Sequence, residues 1–203
     1  GSLEPRKNIG TLVEAFERMR RRNPTLKTKL VLIGGESPLF ASMRLQIKEF
    51  HSDVVFKGFV SDEELRQYYR QALVVAYPSL YEGFGLPPLE AMASGAPVVT
   101  SNTSSLPEVV GAAALLVSPH DCDQLAETLA EVILNPQLRD EMRARGYEQV
   151  KKFNWYRVAR NVLAVYYEVY TESQKGGGTS CLPYAIWKEM MLREKRFLKQ
   201  EGV

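Results

Sequence analysis

The sequence predicts an α/β fold, a doubly wound parallel sheet with helices on both faces. Three observations carry that expectation. Short apolar runs end in turn residues, as strands buried on both faces do. Longer segments repeat their apolar residues at the helical period. The two kinds of segment alternate along the chain, which argues a parallel sheet rather than separate helical and strand layers. The 203 residues are 45% hydrophobic with a formal net charge of +2, a composition that excludes a disordered chain. So small a charge gives no reason to expect nucleic acid as a partner. No apolar run reaches the roughly 18 residues that a membrane-spanning helix requires.

Each element follows from local pattern. Asn8 to Arg22 places Ile9, Leu12, Val13, Phe16 and Met19 on one helical face. Lys29 to Ile33 is a strand bounded by Gly34-Gly35, and Ser37 to Phe50 is a helix with Leu39, Phe40, Met43 and Ile47 as its stripe. Val54 to Phe56 is the second strand. Ser61-Asp-Glu-Glu64 reads as a capping box, in which a serine and the glutamate three residues later satisfy each other's backbone donors. Leu73 to Tyr77, Pro97 to Thr100 and Leu115 to Val117 are further strands, with a helix starting near Pro87 between the first two. Asp121 to Leu134, Gln137 to Val150 and Trp155 to Thr171 are closing helices, the last with Trp155, Val158, Val162, Val165 and Val169 on one side.

The expected organisation is a domain over residues 1–174, a glycine-rich linker over 175–180 and an amphipathic tail helix over 181–203. The chain opens where a doubly wound domain's first strand should end, so an upstream strand and a further domain are expected before it. Gly1-Ser2-Leu3-Glu4-Pro5 lacks the basic-then-apolar order of a secretory leader, and only Cys122 and Cys181 are present. A reducing cytosol is the expected compartment. The tail, or the basic cluster Arg18, Arg20, Arg21 and Arg22, offers peripheral contact with a membrane. Packing of the tail on the rest of the protein, and a solvated helix end favoured by the dipole, are the alternatives.

The chemistry concentrates in Glu82-Gly-Phe-Gly-Leu-Pro-Pro-Leu-Glu90, which joins a strand to a helix. Open α/β folds bind ligands at that carboxyl edge of the sheet. Gly83 and Gly85 let a ligand approach the backbone. Pro87 and Pro88 suit a first helical turn, which leaves the amides of Phe84, Gly85 and Leu86 as an anion site. Carboxylates repel phosphate, so Glu82 and Glu90 need another purpose, and vicinal sugar hydroxyls supply one. A ligand with phosphates in the middle and a sugar at each end, a nucleotide-sugar, fits. The alternative is that Glu82 is a solvated loop residue and Glu90 a surface helix position.

These residues, together with Gly1-Ser-Leu-Glu-Pro-Arg-Lys-Asn8 and Ser101-Asn-Thr-Ser-Ser-Leu-Pro-Glu108, resemble the C-terminal half of a GT-B-fold glycosyltransferase of family 4. The likeness runs from Gly1 to about Glu172. It implies a Rossmann-like domain that binds a nucleoside diphosphate sugar donor, while the acceptor is held by an N-terminal domain outside this chain. It further implies that Glu82 contacts the transferred sugar, Glu90 the ribose, and the amides of Gly83 through Leu86 the sugar and diphosphate. Lys7, assisted by Arg6, would neutralise the leaving diphosphate; many members carry an arginine where this chain has Ser2, and either Arg6 takes over that role or that half of the charge is absent. Gly34 and Gly35 would open the floor beneath the nucleotide, and Gly58-Phe59-Val60 would pass beside the base. The Glu-Pro-Arg-Lys-Asn segment resembles mannosyltransferases and implies GDP-mannose, with UDP-glucose and related donors open.

No metal and no cofactor beyond the donor are expected. Asp121-Cys-Asp123 precedes a helical stripe and reads as a helix cap, and His51 and His120 have no partners at metal-ligand spacing. A dinucleotide-dependent oxidoreductase would need Gly-x-Gly-x-x-Gly after the first strand, which Gly34-Gly35 does not provide. A binding module without catalytic activity is the second functional reading.

Overall fold

The computed structural model describes residues 4–35 and 53–175. The chain divides into two compact units, Gly1–Lys152 and Phe153–Val203. In the first unit the order is α1 (Ile9–Arg22), β1 (Leu30–Ile33), β2 (Val54–Gly58), α2 (Asp62–Gln71), β3 (Val75–Tyr77), α3 (Leu86–Ala93), β4 (Val98–Ser101), α4 (Leu106–Val110), β5 (Leu115–Val117), α5 (Cys122–Leu134) and α6 (Pro136–Val150). The second unit contains α7 (Trp155–Lys175). The units part after Lys152. The expected helix over 37–50 and the tail over 181–203 lie outside the described residues.

Every strand pairing is parallel, in line with the predicted class. The ladder comes in two parts, however: β1 pairs with β2, and β3-β4-β5 form a second sheet. All four residues of β4 are buried. Successive strand residues point to opposite faces, so helices cover the second sheet on both sides. On α1, Leu12, Val13, Phe16 and Met19 join Leu125, Ala126, Leu129 and Val132 of α5 in the main core. Elsewhere α3 packs on α6, where a β-carbon at Gly146 would lie only 3.4 Å from Met92 Cβ.

Local signals account for the helix ends. The Ser61 capping box is formed, with Glu64 N–H on Ser61 Oγ at 3.2 Å and Ser61 N–H on Glu64 Oε2 at 3.0 Å. Asp121 caps α5 by accepting from Gln124 N–H at 2.8 Å. Asp123 instead pairs with Arg18 and Arg22. The arginine cluster is therefore not a simply solvated helix end. Arg18 also holds Glu14, Arg22 also holds Glu127, and Arg20 donates to the Thr28 carbonyl and to Asp53. Short helix α4 lies in a segment to which the sequence assigns no element, because five residues give too little periodicity to register.

Candidate functional site

The site starts from the turn that precedes α1. Pro5–Lys7 form a single 3₁₀ turn that closes on Asn8, whose φ of 58° is left-handed. Asparagine tolerates that conformation better than most residues. Its side-chain amide donates to the carbonyls of Pro78 at 3.1 Å and Pro119 at 2.7 Å. Leu80 N–H donates to the Arg6 carbonyl at 2.8 Å. These bonds fix the turn against the segments that leave β3 and β5, at the carboxyl edge of the sheet.

So placed, the turn delivers two cations to one carboxylate. Arg6 Nη1 lies 2.8 Å from Glu82 Oε2, and Lys7 Nζ 2.5 Å from Glu82 Oε1. Glu82 is only 8% exposed, which overturns the solvated-loop alternative. Lys7 also donates to the Tyr77 hydroxyl and stands 4.7 Å from the centre of the same ring. Burial by itself would raise the Glu82 pKa, but hydrogen bonds from Lys7, Ser79 and Tyr77, together with the Lys7 charge, outweigh it and hold the carboxyl below its ordinary value. Arg6 also holds Glu4 at 2.8 Å, so the two cations are balanced by two carboxylates.

This geometry has a pH consequence. A carboxylate with a lowered folded pKa contributes stability in full above its unfolded value, here about 4.5, and loses it as pH falls through the folded one. Glu82→Gln is expected to melt lower at neutral pH, by about 1–3 kcal/mol. The variant should also lose less than the parent between about pH 5 and pH 3. Thermal melts across that range test it, and superimposable acid profiles would show that the pairs contribute nothing.

The glycine loop is held from outside itself. Glu82 N–H donates to Ser104 Oγ at 3.1 Å, and the Ser105 hydroxyl donates to the carbonyls of Glu82 at 3.0 Å and Phe84 at 2.7 Å. Gly85 has φ 108° and caps α3, and a β-carbon there would stand 2.8 Å from Leu106 Cδ2. Leu106 is fully buried, so this glycine is required by the fold. Gly83 differs: a β-carbon there meets nothing within 4 Å. Leu86 opens α3, with Pro87 and Pro88 in its first turn as expected.

Glu90, exposed on α3, stands 3.5 Å from the Tyr69 hydroxyl rather than joining the Glu82 cluster. Burial, then the Glu90 charge, push the Tyr69 phenol well above its ordinary value, so it stays a neutral donor. At the carboxyl ends of β1 and β2, Gly34 N–H donates to the Gly58 carbonyl at 2.9 Å. The Phe59 ring lies on Gly35, where a β-carbon would come within 2.4 Å of it. Phe59 is 88% exposed and followed by the half-buried Val60. Tyr77, Ser104, Ser105, Asn8 and Tyr69 were not singled out in the sequence. Asn8, Ser104 and Ser105 nevertheless lie in the two segments that carry the family resemblance, and Tyr77 is the last residue of a strand at the ligand-binding edge. Among the described residues no group of three or more histidine, cysteine, aspartate or glutamate side chains could hold a metal ion. No described helix is long and apolar enough to cross a membrane.

Comparison with known proteins gives a consistent picture. The family model described as glycosyl transferases group 1 matches residues 1–149. The O-antigen chain mannosyltransferase B of Escherichia coli is 36% identical over 170 residues, 82% of this chain and 44% of that protein. The structure of sucrose-phosphate synthase from Thermosynechococcus elongatus superimposes with a TM-score of 0.72 at 31% identity, over 84% of this chain and 44% of that one. The C-terminal domain of a glycosyl transferase group 1 family protein from Francisella tularensis gives a TM-score of 0.66 at 28% identity, over 75% of this chain and 82% of that domain. The chain thus spans less than half the length of the E. coli relative.

Proposed function

The chain belongs to the glycosyl transferases group 1 family, and we propose that it is the C-terminal, donor-binding half of a retaining GT-B glycosyltransferase of family 4. The observation that carries this reading is the Glu82 carboxylate held between Lys7 and Arg6, beside the glycine loop that leads into α3. Glu82 accepts from hydroxyls of the transferred sugar and Glu90 from those of the ribose, with Tyr69 steadying Glu90. Backbone amides from Gly83 to Leu86 meet the sugar and diphosphate at a helix N-terminus, where anions are favoured. Gly34 and Gly35 form the floor under the nucleotide, and the Gly58–Phe59–Val60 backbone runs beside the base.

In the transfer step the bond between the anomeric carbon and the diphosphate oxygen breaks, and its electron pair leaves with the diphosphate. The acceptor hydroxyl bonds the anomeric carbon on the same face and gives its proton to a base in the acceptor-binding domain. Lys7 and Arg6 stabilise the charge that develops on the leaving group. Such preorganised groups contribute about a hundred- to a thousandfold in rate each. No metal takes part. GDP-mannose is the donor, supported by the Glu4–Asn8 segment and by likeness to the E. coli mannosyltransferase. The acceptor is a glycan or lipid met at the cytoplasmic face of a membrane. The second reading is a donor-binding module without turnover.

Titration calorimetry of this chain with GDP, UDP, ADP and NAD, with and without EDTA, tests the proposal. Binding of GDP in preference to the others, unchanged by EDTA, is the expected result. Preference for UDP would move the donor to a UDP-sugar; loss of affinity with EDTA would defeat the metal-free site, and preference for NAD the whole reading.

Gly83 separates ligand contact from fold. Because a side chain there enters open space, Gly83→Ala is expected to leave the melting temperature within about 2 °C of the parent. Affinity for the nucleotide-sugar should nevertheless fall about tenfold, an amount equal to ~1.4 kcal/mol. Undiminished affinity for GDP-mannose would remove Gly83 from the donor site.

A further inference from the structure

Three consecutive hydroxyl residues, Thr103, Ser104 and Ser105, lie between β4 and α4 and bond the backbone of the glycine loop and its approach. Thr103 Oγ1 donates to the Leu80 carbonyl at 3.3 Å, and Ser104 Oγ accepts from Glu82 N–H at 3.1 Å. Ser105 reaches furthest, to the Glu82 carbonyl at 3.0 Å and the Phe84 carbonyl at 2.7 Å. A serine hydroxyl has one proton, so the two carbonyls share it.

The helix that follows does not account for that hydroxyl. Ser105 stands at the N-cap of α4, where a serine ordinarily accepts from a backbone N–H of the first turn. Here its side chain makes no cap bond. Its neighbour Ser104 has a left-handed φ of 53°, which only Asn8 approaches among the described non-glycine residues. Such a conformation is strained and persists only where the surroundings impose it, often beside a ligand. Leu106, the next residue, is fully buried, so the three hydroxyls are mounted on the core.

Peptide geometry carries the consequence into the loop. The described peptide bonds are all trans, and in a planar trans unit the C=O and N–H point in opposite directions. The Glu82 carbonyl shares its unit with Gly83 N–H, and the Phe84 carbonyl with Gly85 N–H. With both carbonyls drawn to Ser105, both glycine N–H groups face away from it. Neither has a partner among the described residues. A β-carbon at Gly83 would meet nothing within 4 Å, so no side chain crowds that stretch of backbone.

We propose that Ser105 is a positioning residue: its one hydroxyl turns the Gly83 and Gly85 amides together, as a pair of donors for oxygens of the sugar and diphosphate. This role rests on the donor-binding reading of the loop. Without the hydroxyl the two peptides are free to rotate, and ordering them would weigh against binding.

Calorimetry of the parent, Ser105→Ala and Ser105→Thr with GDP-mannose and GMP, and with UDP-glucose and UMP, tests it. Ser105→Ala is expected to lose about tenfold in affinity for the donor that the parent binds, with the monophosphate of the same base unchanged. Ser105→Thr keeps the hydroxyl and should stay within about threefold of the parent. Asn135→Ala removes a bond of the same kind from the start of α6 and should leave every affinity unchanged. Equal donor affinity in the parent and Ser105→Ala would overturn the proposal. So would an equal loss for donor and monophosphate, or a donor loss as large in Asn135→Ala, either of which a merely loosened fold produces. A loss in Ser105→Thr as large as in Ser105→Ala would trace the effect to side-chain shape and overturn it too. Failure of the parent to bind either donor would overturn the donor-binding reading itself, and the role of Ser105 with it.

Discussion

Lys7→Ala is expected to weaken binding of nucleoside diphosphates by about ten- to a hundredfold, ~1.4–2.8 kcal/mol. Monophosphates should lose much less. The side chain is 10% exposed and touches both Glu82 and Tyr77, so its ammonium is fixed before any ligand arrives. A fixed cation in a partly dry site interacts with phosphate more strongly than a mobile one in water. Removing it also leaves Glu82 with Arg6 alone among its two cationic partners, and Arg6 is 43% exposed and shared with Glu4. Calorimetry with GDP and GMP on both proteins makes the comparison. Equal losses for the two nucleotides would place Lys7 away from the diphosphate and restrict it to holding Glu82.

The second large effect concerns stability. Gly85→Ala is expected to cost about 2–4 kcal/mol, from adding a strained backbone to an overpacked contact. In a chain of this size that lowers the melting temperature by about 4–16 °C. The new β-carbon would press on Leu106 Cδ2 at 2.8 Å, and Leu106 has no exposed surface into which to retreat. Leu106→Ala alone should cost about 2–5 kcal/mol through the cavity it leaves. The double variant should be more stable than the sum of the two losses, because the truncated side chain makes room. Additive losses would trace the Gly85 effect to its φ of 108° alone.

The strands and helices were readable where a pattern was long or a cap was chemical. α1 starts one residue after the expected Asn8, β5 coincides with its expectation, and Ser61 and Asp121 cap as their residue types demand. Strand ends moved where pairing decides them. β3 starts at Val75 rather than Leu73, and β4 runs from Val98 to Ser101 rather than from Pro97 to Thr100. Those limits depend on which neighbour offers a carbonyl, and one strand's own sequence carries no information about its neighbour.

For the site, the two glutamates and the glycines between them were legible from residue type and spacing, because charge near an anion site needs a reason. Their surroundings were not. Sequence by itself determined the parallel α/β class and the helix caps, and it carries the expectation placed on Glu82, Glu90 and the glycine loop. These follow from short-range rules of periodicity, backbone freedom and charge. Only the tertiary structure decided that Lys7 and Arg6 close on Glu82, that Tyr77 holds Lys7, that Ser104 and Ser105 tie the loop, and that the sheet opens between β1 and β3. Each of these joins residues distant in the chain. Contacts of that kind are chosen by packing over the whole core, where many weak interactions settle one arrangement, and no local stretch of sequence specifies them.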